Sequence, residues 1–332
     1  MRTVRLGRSL AWTTRLSFGG AAIGNLARPV DPETATGAVA AAWAGGIRTF
    51  DTAPHYGLGL SERRLGAALR AYPRAEYTVS TKVGRLLEPV AVPRGDDLAA
   101  GGFAVPATHR RVWDFTADGV RRGLAASLDR LGLDRVDIVY LHDPDAHVRQ
   151  ALTEAYPALE RLRAEGVVRA IGVGMNSGAL PARFVRETDV DVVLLAGRYT
   201  LLDQSGLADL LPAALDRGVS VVIGGAFNSG LLADPRPGAS YDYRPAPVDT
   251  LNRALRIRSV CAAHGVPLRA VAARFPLGHP AVASVLLGLR SPAEVADAVG
   301  NLGRDIPAGL WADLRAEGLL AADVPAPPGG RP

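Results

Sequence analysis

Thirty-eight residues of this chain are Lys or Arg, and only one of them, Lys82, is a lysine. Surface Lys and Arg largely substitute for each other. They part company where chemistry needs a compact ammonium whose proton affinity the surroundings can tune. Lys82 ends the apolar, β-branched run Tyr77-Thr78-Val79-Ser80-Thr81-Lys82, which reads as a buried strand. Two further strand-like segments also end on polar side chains. Thr49-Phe50-Asp51 leads into Thr52-Ala53-Pro54-His55-Tyr56-Gly57, and Tyr140-Leu141-His142 leads into Asp143-Pro144-Asp145. An acid, an ammonium, a phenol and an imidazole around one cleft make a proton-transfer site. A phenol with an ordinary pKa of about 10 is a poor acid–base group at neutral pH. A neighbouring ammonium favours the phenolate, and Asp51 can hold that ammonium in place. Taken singly, Asp51 reads as a turn residue, Tyr56 as an amphipathic rim residue and His142 as a packed histidine. Their shared position at successive strand ends sets them apart.

His142, Asp143, Asp145 and His147 are dense enough to raise a metal reading. The remaining histidines, His55, His109, His264 and His279, form no His-x-His pair and do not mark the other strand ends, so no metal centre is expected.

Elements able to bring these residues together follow from the rhythm of the chain. A possible hairpin over 3–12 precedes a first strand over 16–20. Helices are then predicted over 32–44 with Asp31 as cap, 61–72 with Ser61 as cap, 116–131, 150–165, 179–187, 205–217, 249–264 and 291–300. Between them fall strands over 47–50, 79–82, 136–141, 170–173, 192–195, 219–223 and 282–287. Eight strands separated by helices imply parallel β/α units and a closed (β/α)8 barrel. An open doubly wound sheet is the alternative, but it wants a Gly-x-Gly-x-x-Gly turn after the first strand, and none is present. No linker divides the chain, so residues 1–323 read as one barrel domain and 324–332 as a disordered tail. The Gly/Pro-rich stretch 86–111 is too long for an ordinary connection and is expected to lie over the active site. Barrel sites lie at the C-terminal ends of the strands, and adjacent strands run about 4.8 Å apart, so Asp51, Lys82 and His142 should converge with Tyr56 reaching back.

Composition narrows the function classes. The 332 residues are 48% hydrophobic and 21% charged, which fits a soluble globular protein. The formal charge of +5 and a pI near 9.7 come from arginines interspersed with acids, not from a basic run with aromatics, so no nucleic-acid partner is expected. No apolar run approaches membrane-spanning length, no signal-peptide core opens the chain, and Cys261 is the only cysteine. The cytoplasm, with no membrane partner, is the expectation. Sequence does not settle an oligomeric state.

Phe50-Asp51-Thr52-Ala53-Pro54-His55-Tyr56-Gly57, Ser80-Thr81-Lys82 and Leu141-His142, in that order, resemble the aldo-keto reductase family and its Asp, Tyr, Lys, His tetrad. The resemblance runs from about residue 3 to residue 300. Ile171-Gly172-Val173-Gly174-Met175-Asn176, Ala196-Gly197-Arg198-Tyr199, Phe227-Asn228-Ser229-Gly230-Leu231 and Tyr241-Asp242-Tyr243 are similar to the branch of that family that oxidises sugars and pyridoxal.

The resemblance implies a nicotinamide-dependent oxidoreductase with Asp51, Tyr56, Lys82 and His142 as its catalytic residues. It places Asn176 against the carboxamide of the nicotinamide, with Met175 where the family has a serine and Ala196 where it has a glutamine. Phe227 stands in for a stacking tyrosine, and the pyrophosphate would lie along Asn228-Ser229-Gly230-Leu231, where backbone N–H groups can face it. The family's phosphate-gripping cations fall at Gly288 and Glu294. Neither is basic, which favours NAD, although Arg290 nearby leaves NADP possible. The expected reaction is oxidation of an aldose at C1 to a lactone. Pyridoxal or general carbonyl chemistry, and a non-catalytic nicotinamide-binding subunit, are the alternatives. An intact tetrad favours the enzyme, because a pure binder needs no general base.

Overall fold

A computed structural model describes residues 1–330. Eight parallel strands close into a barrel: β1 (Leu16–Gly19), β2 (Thr49–Asp51), β3 (Thr78–Val83), β4 (Ile138–His142), β5 (Ala170–Met175), β6 (Val192–Ala196), β7 (Ser220–Gly224) and β8 (Val282–Gly288). Spatial order equals chain order, and β8 closes on β1. The expected barrel is therefore the fold. Each strand is short and almost wholly buried, since one face meets the barrel interior and the other the helices.

Helices α1 (Pro32–Ala44), α2 (Leu60–Leu69), α3 (Ala117–Leu131), α4 (Tyr156–Ala164), α5 (Ala179–Glu187), α6 (Leu210–Arg217), α7 (Val248–Ala263), α8 (Leu268–Arg274), α9 (Pro292–Leu302) and α10 (Ala308–Ala316) surround the strands. Local chemistry explains several starts. Asp31 accepts the Thr34 N–H at the head of α1, Thr116 accepts the Gly119 N–H ahead of α3, and Ser291 accepts the Glu294 N–H ahead of α9. Ser61, expected as the cap of its helix, lies inside α2. Its hydroxyl instead donates to the Gly20 carbonyl and bonds the Thr52 hydroxyl, tying α2 to the loops after β1 and β2.

The barrel interior has two halves. Ile138, Tyr140, Ala170, Val192, Leu194, Val222 and Leu286 fill one apolar half, with Leu6 of the N-terminal hairpin as its plug. The half bounded by β8, β1, β2 and β3 is polar: Ser17 and Ser284 share a hydrogen bond, and Asp51 and Ser80 share another. This polar sector leads up to the site.

Two stretches differ from expectation. The segment expected as a long loop over 86–111 is built from antiparallel ribbons, Arg85–Pro89 with His109–Trp113 and Asp96–Asp97 with Phe103–Pro106. Residues 324–330, expected as a disordered tail, are docked: Val324 is buried, the Pro325 carbonyl accepts the Tyr199 hydroxyl, and Gly330 bridges to Ile306. The end of that predicted tail, residues 331 and 332, lies outside the described residues.

Candidate active site

Alternation along β3 points Ser80 and Lys82 into the barrel and Val79 and Thr81 outward. Thr81 donates to the buried Glu62 carboxylate, which also accepts Arg130, so the strand is pinned from outside by α2 and α3. On the inside, Lys82 Nζ donates to Asp51 Oδ2 at 2.6 Å and to the Thr52 carbonyl at 3.0 Å. Asp51 Oδ1 accepts the Ser80 hydroxyl at 2.7 Å. Both charges are buried, Lys82 at 1% and Asp51 at 3% exposure, so each depends on the other for compensation. Above the pair, Lys82 Nζ lies 4.7 Å from the centroid of the Tyr56 ring. Gly57 makes that position of Tyr56 reachable: its φ is +62°, and a Cβ there would stand 2.2 Å from the Gly24 carbonyl oxygen.

His142 closes the group. Its ring lies 6.0 Å from that of Tyr56 at 88° between planes, and 5.7 Å from that of His55. His55 is itself 6.0 Å from Tyr56. Three rings thus form a near-equilateral triangle over the Lys82–Asp51 pair, with Phe103 of the ribbon against both His55 and Tyr56. All four residues expected to converge do so. The ribbon 85–113 lies over them, as expected of the long connection.

Electrostatics separate the groups. Burial drives His142 well below the usual histidine range, helped by Arg85 and Lys82, so its imidazole is neutral. Burial, Arg85, Arg111 and Lys82 likewise bring His55 down to about 3. Lys82 is raised: burial opposes its charge, but Asp51 and Tyr56 outweigh it. The expected lowering of Tyr56 is only half of what happens. Lys82 does pull it down, but burial is the larger effect and Asp51 adds to it, leaving the phenol at about 12.

The other strand ends present backbone. Asn176 is exposed after β5, and its carbonyl accepts Arg198 Nε at 2.8 Å. Phe227 is half-buried against the core. The turn 228–231 is less open than expected, because the N–H groups of Asn228, Gly230 and Leu231 are spent on the carbonyls of Gly225, Phe227 and Asn228, leaving Ser229 N–H without a backbone acceptor. The Asn228 amide donates back to the Gly197 carbonyl at 3.3 Å, and Ser229 Oγ accepts the Tyr243 N–H. Gly288 and Gly230 face open space, since a Cβ at either would meet nothing within 4 Å. Glu294 accepts the Arg290 N–H at 2.9 Å and pairs with its guanidinium at 3.4 Å. Burial lowers Arg290, and Arg28 is near enough to lower it further. Flat glycine backbone with two arginines at its edge fits a dinucleotide with phosphates.

Sequence reading missed three features. Arg111 fastens His55 to Asp97, Arg85 pairs with Asp143 beside His142, and Arg198 joins Asp203 to Asp242 across the mouth. Each of these links includes a partner at least 44 positions away, so no local pattern signals them. Among the described residues no cluster of three His, Cys, Asp or Glu side chains could hold a metal ion, and no helix is long and apolar enough to cross a membrane.

Comparison with known proteins points to one family. The profile of the aldo/keto reductase family matches residues 15–316. The chain is 48% identical to a D-threo-aldose 1-dehydrogenase of a Pseudomonas species, over 92% of this chain and 94% of that protein. It is 40% identical to a pyridoxal 4-dehydrogenase of Microbacterium luteolum, covering 95% and 97% respectively. A glycerol dehydrogenase structure from Gluconobacter oxydans shares the fold at a TM-score of 0.74 and 24% identity, covering 98% of this chain and 97% of that one.

Proposed function

Since the chain belongs to the aldo/keto reductase family and is an oxidoreductase of that kind, we propose that it oxidises a cyclic aldose at C1 to the lactone with NAD. The observation that carries this reading is the buried Lys82–Asp51 pair set beneath Tyr56, supported by the likeness to an aldose 1-dehydrogenase. A non-catalytic binder gains nothing from burying two charges under a phenol.

Tyr56, as phenolate, takes the proton of the anomeric hydroxyl while C1 gives up its hydride. Lys82 stabilises the phenolate, and Asp51 holds Lys82 within its slot. Arg would keep the charge, but its broad fork does not fit a slot made for one ammonium. His142, held neutral, hydrogen-bonds the reacting oxygen and orients the ring. When bound, the oxidised nicotinamide would supply the two-electron acceptor for that hydride. Asn176, Phe227, the turn Asn228-Ser229-Gly230-Leu231 and Gly288 would hold it, with Ser229 N–H as the open donor of that turn. Arg290 and Glu294 would face the adenosine ribose, where Glu294 on Arg290 disfavours an added phosphate and so favours NAD over NADP.

Pyridoxal oxidation is the second reading, favoured by the 40% identity to a pyridoxal dehydrogenase. The test is a panel of aldoses, pyridoxal and simple aldehydes with NAD and NADP. Aldose-dependent NADH formation is expected. NADH formation with pyridoxal and no aldose moves the assignment to the second reading, and carbonyl reduction alone overturns both.

A further inference from the structure

The tetrad leaves His55 unused, yet His55 is the most firmly held ring at the site. Arg111 Nε donates to His55 Nδ1 at 2.5 Å, and Arg111 Nη2 donates to the His55 carbonyl at 3.1 Å. Asp97, buried at 3% exposure, accepts from Nη1 and Nη2 of that guanidinium, at 2.7 and 2.6 Å. Phe103 stands edge-on to the imidazole, with centroids 5.3 Å apart at 89°.

An arginine donates and never accepts. Nδ1 must therefore carry the lone pair, and the one ring proton sits on Nε2. Burial disfavours a charged ring, and charging His55 would also set a cation near Arg85, Arg111 and Lys82, so the ring stays neutral. Asp97 removes the freedom of Arg111 to turn away. The Nε2–H group has no protein acceptor, and the ring is only partly buried, in the triangle with Tyr56 and His142.

We propose that His55 is a specificity residue that donates Nε2–H to the substrate oxygen next to the one oxidised, with Arg111 and Asp97 as the positioning residues that fix its tautomer. On the aldose reading, on which this inference rests, that oxygen is the C2 hydroxyl. Tyr56 and His142 take the C1 oxygen, and the third ring of the triangle faces the neighbouring position. A fixed donor distinguishes oxygen from hydrogen there, because a substrate lacking the oxygen leaves Nε2–H without a partner in a closed site.

The experiment compares kcat/KM for L-fucose and 2-deoxy-L-fucose with NAD. The wild type is expected to prefer L-fucose by roughly ten- to a hundredfold, the worth of one hydrogen bond plus the penalty of an unpaired donor. His55→Phe should lose that preference by slowing on L-fucose alone, and His55→Gln, which restores an N–H, should recover part of it. Arg111→Met should lower the preference and let 15N spectra show an Nδ1–H population at His55, since no guanidinium then holds Nδ1 as an acceptor. Independently of any variant's folding, 15N spectra of wild-type histidines should show His55 bare at Nδ1 and protonated at Nε2 from about pH 5 to pH 8. An unchanged preference in a folded His55→Phe enzyme, no preference in the wild type, or an Nδ1–H tautomer would each overturn the inference while leaving aldose oxidation intact. A wild-type enzyme inert toward every aldose would instead remove the reading on which it rests.

Discussion

Lys82 Nζ lies 2.6 Å from Asp51 Oδ2 and 4.7 Å from the centre of the Tyr56 ring, so one ammonium touches both an anchor and a phenol. With the chain's only lysine in a slot that is 1% exposed, charge, size and proton affinity are all constrained at once. The first consequence concerns Tyr56. Tyr56→Phe should cut kcat by about 10²–10⁴-fold, the usual contribution of a general acid–base group, while NAD affinity by fluorescence titration stays near wild type. Retention of more than about a tenth of kcat would contradict the assignment.

Lys82→Arg should be almost as damaging to kcat as Lys82→Met. The two should differ in stability. Lys82→Met leaves Asp51 buried without a counter-charge, a loss of about 3–5 kcal/mol. Thermal and denaturant unfolding measure this, and adding Asp51→Asn to Lys82→Met should recover much of the loss. Full activity in Lys82→Arg would leave the lone lysine without a functional reason.

The barrel and its tetrad were legible in the sequence because both depend on local signals. The strand runs, the cap Asp31, and the polar residue closing each of three strands are visible over a few residues at a time. Where the reading failed, a distant partner decided. Ser61 looks like a cap, but the Gly20 carbonyl and Thr52 hydroxyl take it into the interior. Helices α8 and α10 were not foreseen, since the short Ala-rich run Leu268–Arg274 and Ala308–Ala316 carry no capping side chain. The packed run 324–330 is Pro- and Gly-rich by composition but is held by Tyr199, Arg315 and Ile306. The link from Arg111 to His55 crosses 56 positions. The rise of Tyr56 is likewise a matter of burial, which motif spacing does not report.

Activity should follow pH through that phenol. With Tyr56 at about 12 in the absence of ligands, raising the pH populates the phenolate, and kcat/KM for oxidation should climb across the alkaline range. His142, kept neutral by burial, should add no limb of its own near the ordinary histidine range of about 6.5. A bell centred near neutrality would contradict this.

Stability should show the same histidine with the opposite weight. His142 takes up a proton in the unfolded chain below about pH 6.5 but resists it when folded, so the unfolded state binds more protons there. Folding stability is therefore fully present above that pH and declines as the pH falls below it, by up to about 1.4 kcal/mol per unit. Denaturant midpoints at pH 7 and pH 5 should differ less in His142→Gln than in the wild type.

Cofactor choice should turn on Glu294. Wild type should favour NAD over NADP in kcat/KM. Glu294→Arg removes the partner of Arg290 and adds a second cation near it, so NADP use should rise by the worth of a charged hydrogen bond, about 1.5–3 kcal/mol. Equal use of both cofactors by the wild type would show that another group decides.

The central claim is that Tyr56 removes the hydroxyl proton as C1 loses hydride. L-Fucose carrying deuterium at C1 tests it most directly, followed by mass spectrometry of the nicotinamide and of the sugar product. One deuterium in the reduced cofactor per lactone or aldonic acid formed, with both products lost together in Tyr56→Phe, is the predicted result. Reduced cofactor without deuterium, or reduction of aldehydes with no sugar oxidised, would contradict it.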